Sequence, residues 1–307
     1  MIRQPAKRWL LGAVGLAAAA GQFGCARMPP GSSSLSGVQL RVTVTYAGPM
    51  SSANYYFFLL NDAKNVAQLT APGPVPVVGP PPASGLPSNG FATESGSDTN
   101  GKALGGFTDL VLFTNPANQF GPSQSSIALY HVPNQQSADS PPQSFQPNGL
   151  PIAFTPPGSN QDSAGVGSPY TLQFTIDLAQ LILDDTGRPL ADAAQADAAA
   201  RSIQFLQLNL ISTNLVATDL ATQVNKQTDS MGNTSDGRGA FLTIPISVNG
   251  AIQPATYSDT MNGGVSQFGQ QIAEPEGDVF VFQPNGSQVD PSLDMLHWTV
   301  EVLNNKP

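Results

Sequence analysis

The chain has 307 residues with 12 Lys+Arg, 21 Asp+Glu and a single cysteine. Only 11% of its residues are charged, where an ordinary globular domain has about 25%. Clustered cations are what neutralise phosphates, so this acidic, lysine-poor composition argues against nucleic acid as a partner, and one cysteine excludes an intramolecular disulfide.

Taken in chain order, Arg3, Lys7 and Arg8 form a positive segment, residues 9–23 are apolar or small, and Gly24-Cys25 follows. The 15-residue apolar run is shorter than the about 20 residues a membrane span needs. Positive flank, apolar middle and small-residue end are the marks of a cleaved export signal. Ending at Gly24-Cys25, the segment resembles the signal peptide of bacterial lipoproteins, a resemblance confined to residues 1–25. It implies that the Cys25 thiol is the lipid attachment site, that the mature chain starts there, and that acyl chains such as palmitate hold it on the cell membrane or outer membrane. Several such chains give stable anchoring, at about 0.8 kcal/mol per buried methylene. Ala26 after Cys25, instead of Asp, resembles the outer-membrane sorting case of Gram-negative lipoproteins. Gln22 and Phe23 depart from the family's usual leucine and small residue at those positions. Cleavage after Ala18-Ala19-Ala20, giving a soluble secreted protein, is the alternative. Without Arg3, Lys7 and Arg8 the balance is 9 basic to 21 acidic residues, a net charge of −12.

Residues 26–36 read as a flexible Pro/Gly/Ser tether. Residues 38–46 alternate apolar and polar, placing Val38, Leu40, Val42, Val44 and Tyr46 on one face of a strand. Residues 55–60 (Tyr-Tyr-Phe-Phe-Leu-Leu) read as a strand buried on both faces and closed by Asn61-Asp62. A long Pro/Gly/Ser stretch occupies residues 71–101, an unusual length for a connection in a compact domain. Further strands are expected at 107–113, 127–132, 152–155 and 170–176, with loops near 133–148 and 156–168. Asp177 suits the cap of a short helix over 178–183. Residues 184–187 form a turn, and the alanine-rich run 191–201 favours helix. Strands at 203–211, 241–248, 278–282 and 296–303 complete the set, with Leu296, Trp298, Val300 and Val302 expected on one face. Strands do not alternate with helices, which argues against a doubly wound sheet. The expected fold is mainly β, a jelly-roll or Greek-key-like β-sandwich with a short helical insertion. It occupies residues 37–307 as a single domain; a split near 157–168 is the alternative.

Catalytic motifs are scarce. The two histidines, His131 and His297, stand apart, and no nucleophile elbow or S-x-x-K motif is present. Zinc needs several His or Cys ligands. Gly96 to Lys102 has the G-x-x-x-x-G-K spacing of a phosphate loop, but Ala103 stands where the metal-binding hydroxyl belongs and no apolar strand precedes it. Asp184-Asp185 and Glu274/Glu276/Asp278 are the acid pairs open to a glycosidase, which needs them set across a cleft. Calcium is the more reasonable cofactor. Asp98 and Asn100 lie in one oxygen-rich turn, and Asp229, Asn233 and Asp236 in another, although neither matches the full calcium-loop pattern. The aromatic run 55–58 would either pack in the core or present rings to sugars.

The sequence leads to an expectation of a surface-anchored, non-enzymatic lipoprotein with an envelope-structural or extracellular binding role. Its partners are the membrane, through the lipid, and a glycan or envelope protein. A carbohydrate-binding β-sandwich is the alternative, and a glycan-active enzyme the remaining one.

Overall fold

The computed structural model describes residues 35–65, 107–115, 126–131, 146–158, 168–185, 187–215, 224–235, 239–260, 272–282 and 284–305, with the short pair 96–97 and 103–104 and positions 69 and 74. Cys25, residues 26–34 of the tether and almost all of the 71–101 stretch lie outside the described residues. Ser33–Pro307 forms one compact unit.

The strands are β1 (Val38–Tyr46), β2 (Tyr55–Ala63), the small pair β3 (Gly96–Ser97) and β4 (Ala103–Leu104), β5 (Asp109–Phe113), β6 (Ile127–His131), β7 (Gln146–Pro147), β8 (Ala153–Thr155), β9 (Thr171–Asp177), β10 (Phe205–Thr213), β11 (Lys226–Ser230), β12 (Leu242–Pro245), the pair β13 (Ser247–Val248) and β14 (Ala251–Ile252), β15 (Ala255–Ser258), β16 (Phe280–Phe282) and β17 (Met295–Asn304). One sheet has the order β15-β17-β1-β9-β8. The other runs β16-β11-β10-β2-β5-β6-β7, with β12 also pairing β10. Pairing is antiparallel throughout both. β1 lies between β9 and β17, and β2 between β5 and β10, so the chain crosses repeatedly between sheets instead of meandering.

The two sheets pack face to face as a sandwich. β1 is buried at every second residue, as its period of two requires. Val44, Val42 and Leu40 stand opposite Trp298, Val300 and Val302 on β17. Aromatic rings bridge the sheets: Phe58 meets Phe174 edge-on at 5.4 Å, Tyr46 meets Tyr56 at 5.1 Å, and Phe113 meets Phe154 at 5.7 Å. A second apolar cluster covers the far face of the larger sheet, formed by Phe57, Leu59, Leu110, Leu112, Tyr130 and Ile211 among others. This explains why β2 lacks alternation: its two faces feed two cores.

Four elements differ from their sequence reading. β2 continues through Asn61 and Asp62 because their polar groups are satisfied within the sheet: Asn61 donates to Gln207 Oε1 at 2.6 Å, and Asp62 accepts from Thr108 at 2.8 Å. β10, expected over 203–211, runs from Phe205 to Thr213 and is buried along its whole length, since both its edges and both its faces are covered. Asp229, which the sequence places in an oxygen-rich turn with Asn233 and Asp236, lies instead in β11, where Lys226-Gln-Thr-Asp-Ser is a fully buried strand between β10 and β16; there burial lowers the Lys226 ammonium to about 7. In β17 a bulge shifts the register between Thr45 and Tyr46, so that Met295 faces Tyr46. Met295 is thereby buried in the core and Leu296 only half-buried.

The helical insertion is as expected in place. Asp177 caps a 3-10 turn, Leu178–Leu181, with a reciprocal bond from its own N–H to Gln180. Helix α1 (Ala193–Ser202) starts at the cap Asp192 and packs through Ala196 and Ala200, both fully buried. Only a methyl-sized side chain permits such close approach.

Candidate functional site

β10 has two partners along one edge. Its first half pairs β12 and its last three residues pair β11. Between them the chain leaves the sheet after Ser230, turns through Met231–Ser235 and returns by Gly239. Asn209, at the gap in β10, accepts from the Met231 N–H at 3.2 Å and so fixes the point of departure. Two glycines are needed. Gly232 has φ +78°, and a Cβ there would press on Ala240 at 3.0 Å. A Cβ on Gly239 would fall 1.6 Å from Ser230 Oγ.

Against this turn lie residues 272–279, which precede β16, and the start of β17. Three carboxylates converge where the segments meet: Asp229, Glu274 and Asp278 each offer an oxygen within 4.8 Å of the others. Asp229 accepts from Ser230 N at 2.8 Å and from Met295 N at 2.6 Å. Glu274 Oε2 accepts from Gly232 N and from the Trp298 indole N–H, both at 3.1 Å. Asp278 Oδ2 accepts from Thr234 N at 2.6 Å. Asp294 accepts from Gly277 N at 3.0 Å, holding the middle of the 272–279 segment. The other oxygens of two carboxylates, Glu274 Oε1 and Asp278 Oδ1, are buried without a hydrogen-bond partner among the described residues.

The electrostatics follow from this packing. Burial is the main cause that raises Asp229 well above the usual carboxylate range, with Asp278 adding to it. Burial, followed by the charge of Asp229, pushes Glu274 up to about 9. Asp278 and Asp294 are also raised, again first by burial. Like charges in a poorly hydrated site disfavour one another's ionised forms. Such a cluster can hold protons or a cation. Asp229 and Asp278 are buried.

The structure distributes the sequence-derived site residues unevenly. Asp229 is in the cluster. Asn233 is exposed and its Oδ1 accepts from Ser235 N and Oγ, an ordinary Asx turn. Cys25, Asp98, Asn100 and Asp236 lie outside the described residues. Of the acids that the sequence leaves open to a glycosidase, Glu274 and Asp278 join this cluster, while Glu276, Asp184 and Asp185 are exposed. Nothing in the sequence joined Asp229 to two acids some forty-five positions downstream. The available signal was a glycine near two of the three acids: Gly232, three residues after Asp229, and Gly277, just before Asp278.

Both histidines are paired to carboxylates: His131 Nδ1 to Asp109 at 3.0 Å and His297 Nδ1 to Asp259 at 2.8 Å. Among the described residues neither imidazole is hydrogen-bonded to a serine hydroxyl. Tyr56, Phe57 and Phe58 are buried, each 2% exposed, and Tyr55 stacks on Phe57, so the run 55–58 is core and not a sugar platform.

The Asp109–His131 pair carries a pH dependence. Asp109 is fully buried, and that burial raises its carboxyl from 3.8 to about 6 despite the facing His131; Asp62 adds to the rise and Thr108 opposes it. Burial works to lower His131, but the bond and charge of Asp109 outweigh it and the imidazole is raised above 6.5. Both groups bind protons more tightly folded than unfolded. Their contribution is present at low pH and is lost as pH rises, from 3.8 to about 6 for Asp109 and beyond 6.5 for His131. Thermal unfolding from pH 4 to 8 should therefore show a smaller fall in midpoint for Asp109→Asn than for the parent chain. Equal slopes would mean that the pair does not titrate with folding.

No family model, curated protein or solved structure matches the chain.

Proposed function

We propose that this is an extracytoplasmic, lipid-anchored β-sandwich with a structural or partner-binding role in the cell envelope, and not an enzyme. The observation that carries the reading is the leader: a positive segment, an apolar run and Gly24-Cys25, thirteen residues before the first strand opens at Val38. A lipid on Cys25 would tether the sandwich to a membrane through a short polar segment. Two features of the sandwich are consistent with a non-catalytic role: histidines held by carboxylates, and acids buried at one point instead of across a cleft.

Fractionation tests the anchor. The parent chain is expected in the membrane fraction and Cys25→Ser in the soluble one; unchanged partitioning would defeat the lipoprotein reading. Retention of the chain on a panel of polysaccharides would move the role to carbohydrate binding, whereas passage through that panel keeps the structural or protein-partner role.

A further inference from the structure

We propose that Asp229, Glu274 and Asp278 form a binding site for one calcium ion, which ties the turn after β11 and the segment before β16 to the start of β17. This site is separate from the anchor and stands whether or not Cys25 carries lipid.

The cluster of acids is not the whole argument. Asp278 is 6% exposed, yet among the described residues its Oδ1 has no hydrogen-bond partner, and neither does buried Glu274 Oε1. Unpartnered buried acceptors are costly and rare. Here two of them belong to carboxyl groups whose other oxygens are already held by backbone or indole N–H groups. Those donors orient the carboxylates as the outer partners of a metal ligand do. The unpartnered oxygens are left for a cation.

The chemistry of the donors selects the ion. The cluster is made of oxygens alone, which suits a hard cation and not zinc or copper. Calcium sits about 2.3–2.6 Å from its oxygens, so one ion can bridge oxygens that lie within 4.8 Å of each other. Magnesium demands strict octahedral geometry at about 2.0–2.1 Å and gives up its waters reluctantly, so three buried carboxyl groups suit it less well. Calcium takes six to eight oxygens, and main-chain carbonyls and waters commonly supply those beyond the carboxylates.

The test uses the full-length chain. Calorimetric titration should show one calcium per chain. The unfolding midpoint should rise by about 5 °C or more between chelator and millimolar calcium. In the double variant Glu274→Gln/Asp278→Asn that rise should vanish, while its midpoint in chelator stays at or above the parent's, because the amides remove the crowded charge. No calcium heat and no shift for the parent would overturn the proposal. So would a shift that survives in the double variant, or a response to magnesium alone. If the double variant does not fold, terbium decides on the parent chain. The Trp298 indole touches a proposed ligand, so terbium bound there should luminesce on indole excitation and be displaced by calcium. Trp298→Phe should lose most of that emission. Absent emission, or emission that calcium does not displace, would overturn the site.

Discussion

Asp177→Ala should lower the stability of the sandwich by about 3–5 kcal/mol, read as a fall of about 10 °C in unfolding midpoint. Asp177 is fully buried at the end of β9. Its Oδ1 accepts from Ser36 N at 3.1 Å, from Ser36 Oγ at 2.7 Å and from Ala179 N at 3.0 Å, and its Oδ2 accepts from Gly37 N at 3.0 Å. One carboxylate thus caps the 3-10 turn and fastens the residues that lead into β1. Hydrogen bonds to an ionised group contribute about 1.5–3 kcal/mol each. The full sum is not expected, because Gly37 lies only partly buried and water replaces some of its loss. Asp177→Asn keeps one acceptor but turns an N–H towards the Gly37 amide, so an intermediate loss is expected. A change below about 1 kcal/mol for the alanine variant would show that the knot is not formed in solution.

Trp298→Ala should cost about 3–5 kcal/mol, the range for deleting a fully buried large ring. The indole is 2% exposed; it stands opposite Val44 in the sheet and donates its N–H to Glu274. Alanine leaves a cavity between the sheets and removes one of the two donors to Glu274 Oε2. Trp298→Phe separates the two effects. It restores most of the apolar contact but not the N–H, so its loss in chelator should be about 1–2 kcal/mol. Chemical denaturation of the three chains measures both. Equal losses for the two variants would mean that the hydrogen bond, and not the ring volume, is what matters at this position.

The local pattern was legible wherever side chains alternate against a single core. The period of two in residues 38–46 is reproduced as the burial of β1. The cap at Asp177 and the alanine helix also lie where propensity places them. Local chemistry is enough for these, since a cap or an amphipathic face depends on neighbours within a few residues. The limits appear at β11 and β17. Lys226-Gln-Thr-Asp-Ser has no apolar period, and it is a buried strand only because β10 and β16 take its backbone groups and nearby residues its polar side chains. Thr228 bonds Thr213 at 3.2 Å, Gln227 donates to the Gln288 carbonyl at 3.0 Å, and Ser230 lies within 3.1 Å of Thr234. At the start of β17 a bulge exchanges Leu296 for Met295, a shift set by the partner strand and not by the alternation itself.

The acid site shows the same division. By itself the sequence determined a charge-poor composition, a leader that resembles a lipoprotein signal, a β-rich sandwich pattern and Asp229 as a candidate ligand. Only the tertiary structure decided which acids meet. Asp229 lies near the end of one strand, Glu274 and Asp278 precede another, and Asn233, close in sequence to Asp229, turns out to solvent. The reason is physical: a cation site needs oxygens from several directions around one point. In an antiparallel sandwich, segments distant in the chain are brought to such a point by strand pairing, which spacing along the sequence does not encode.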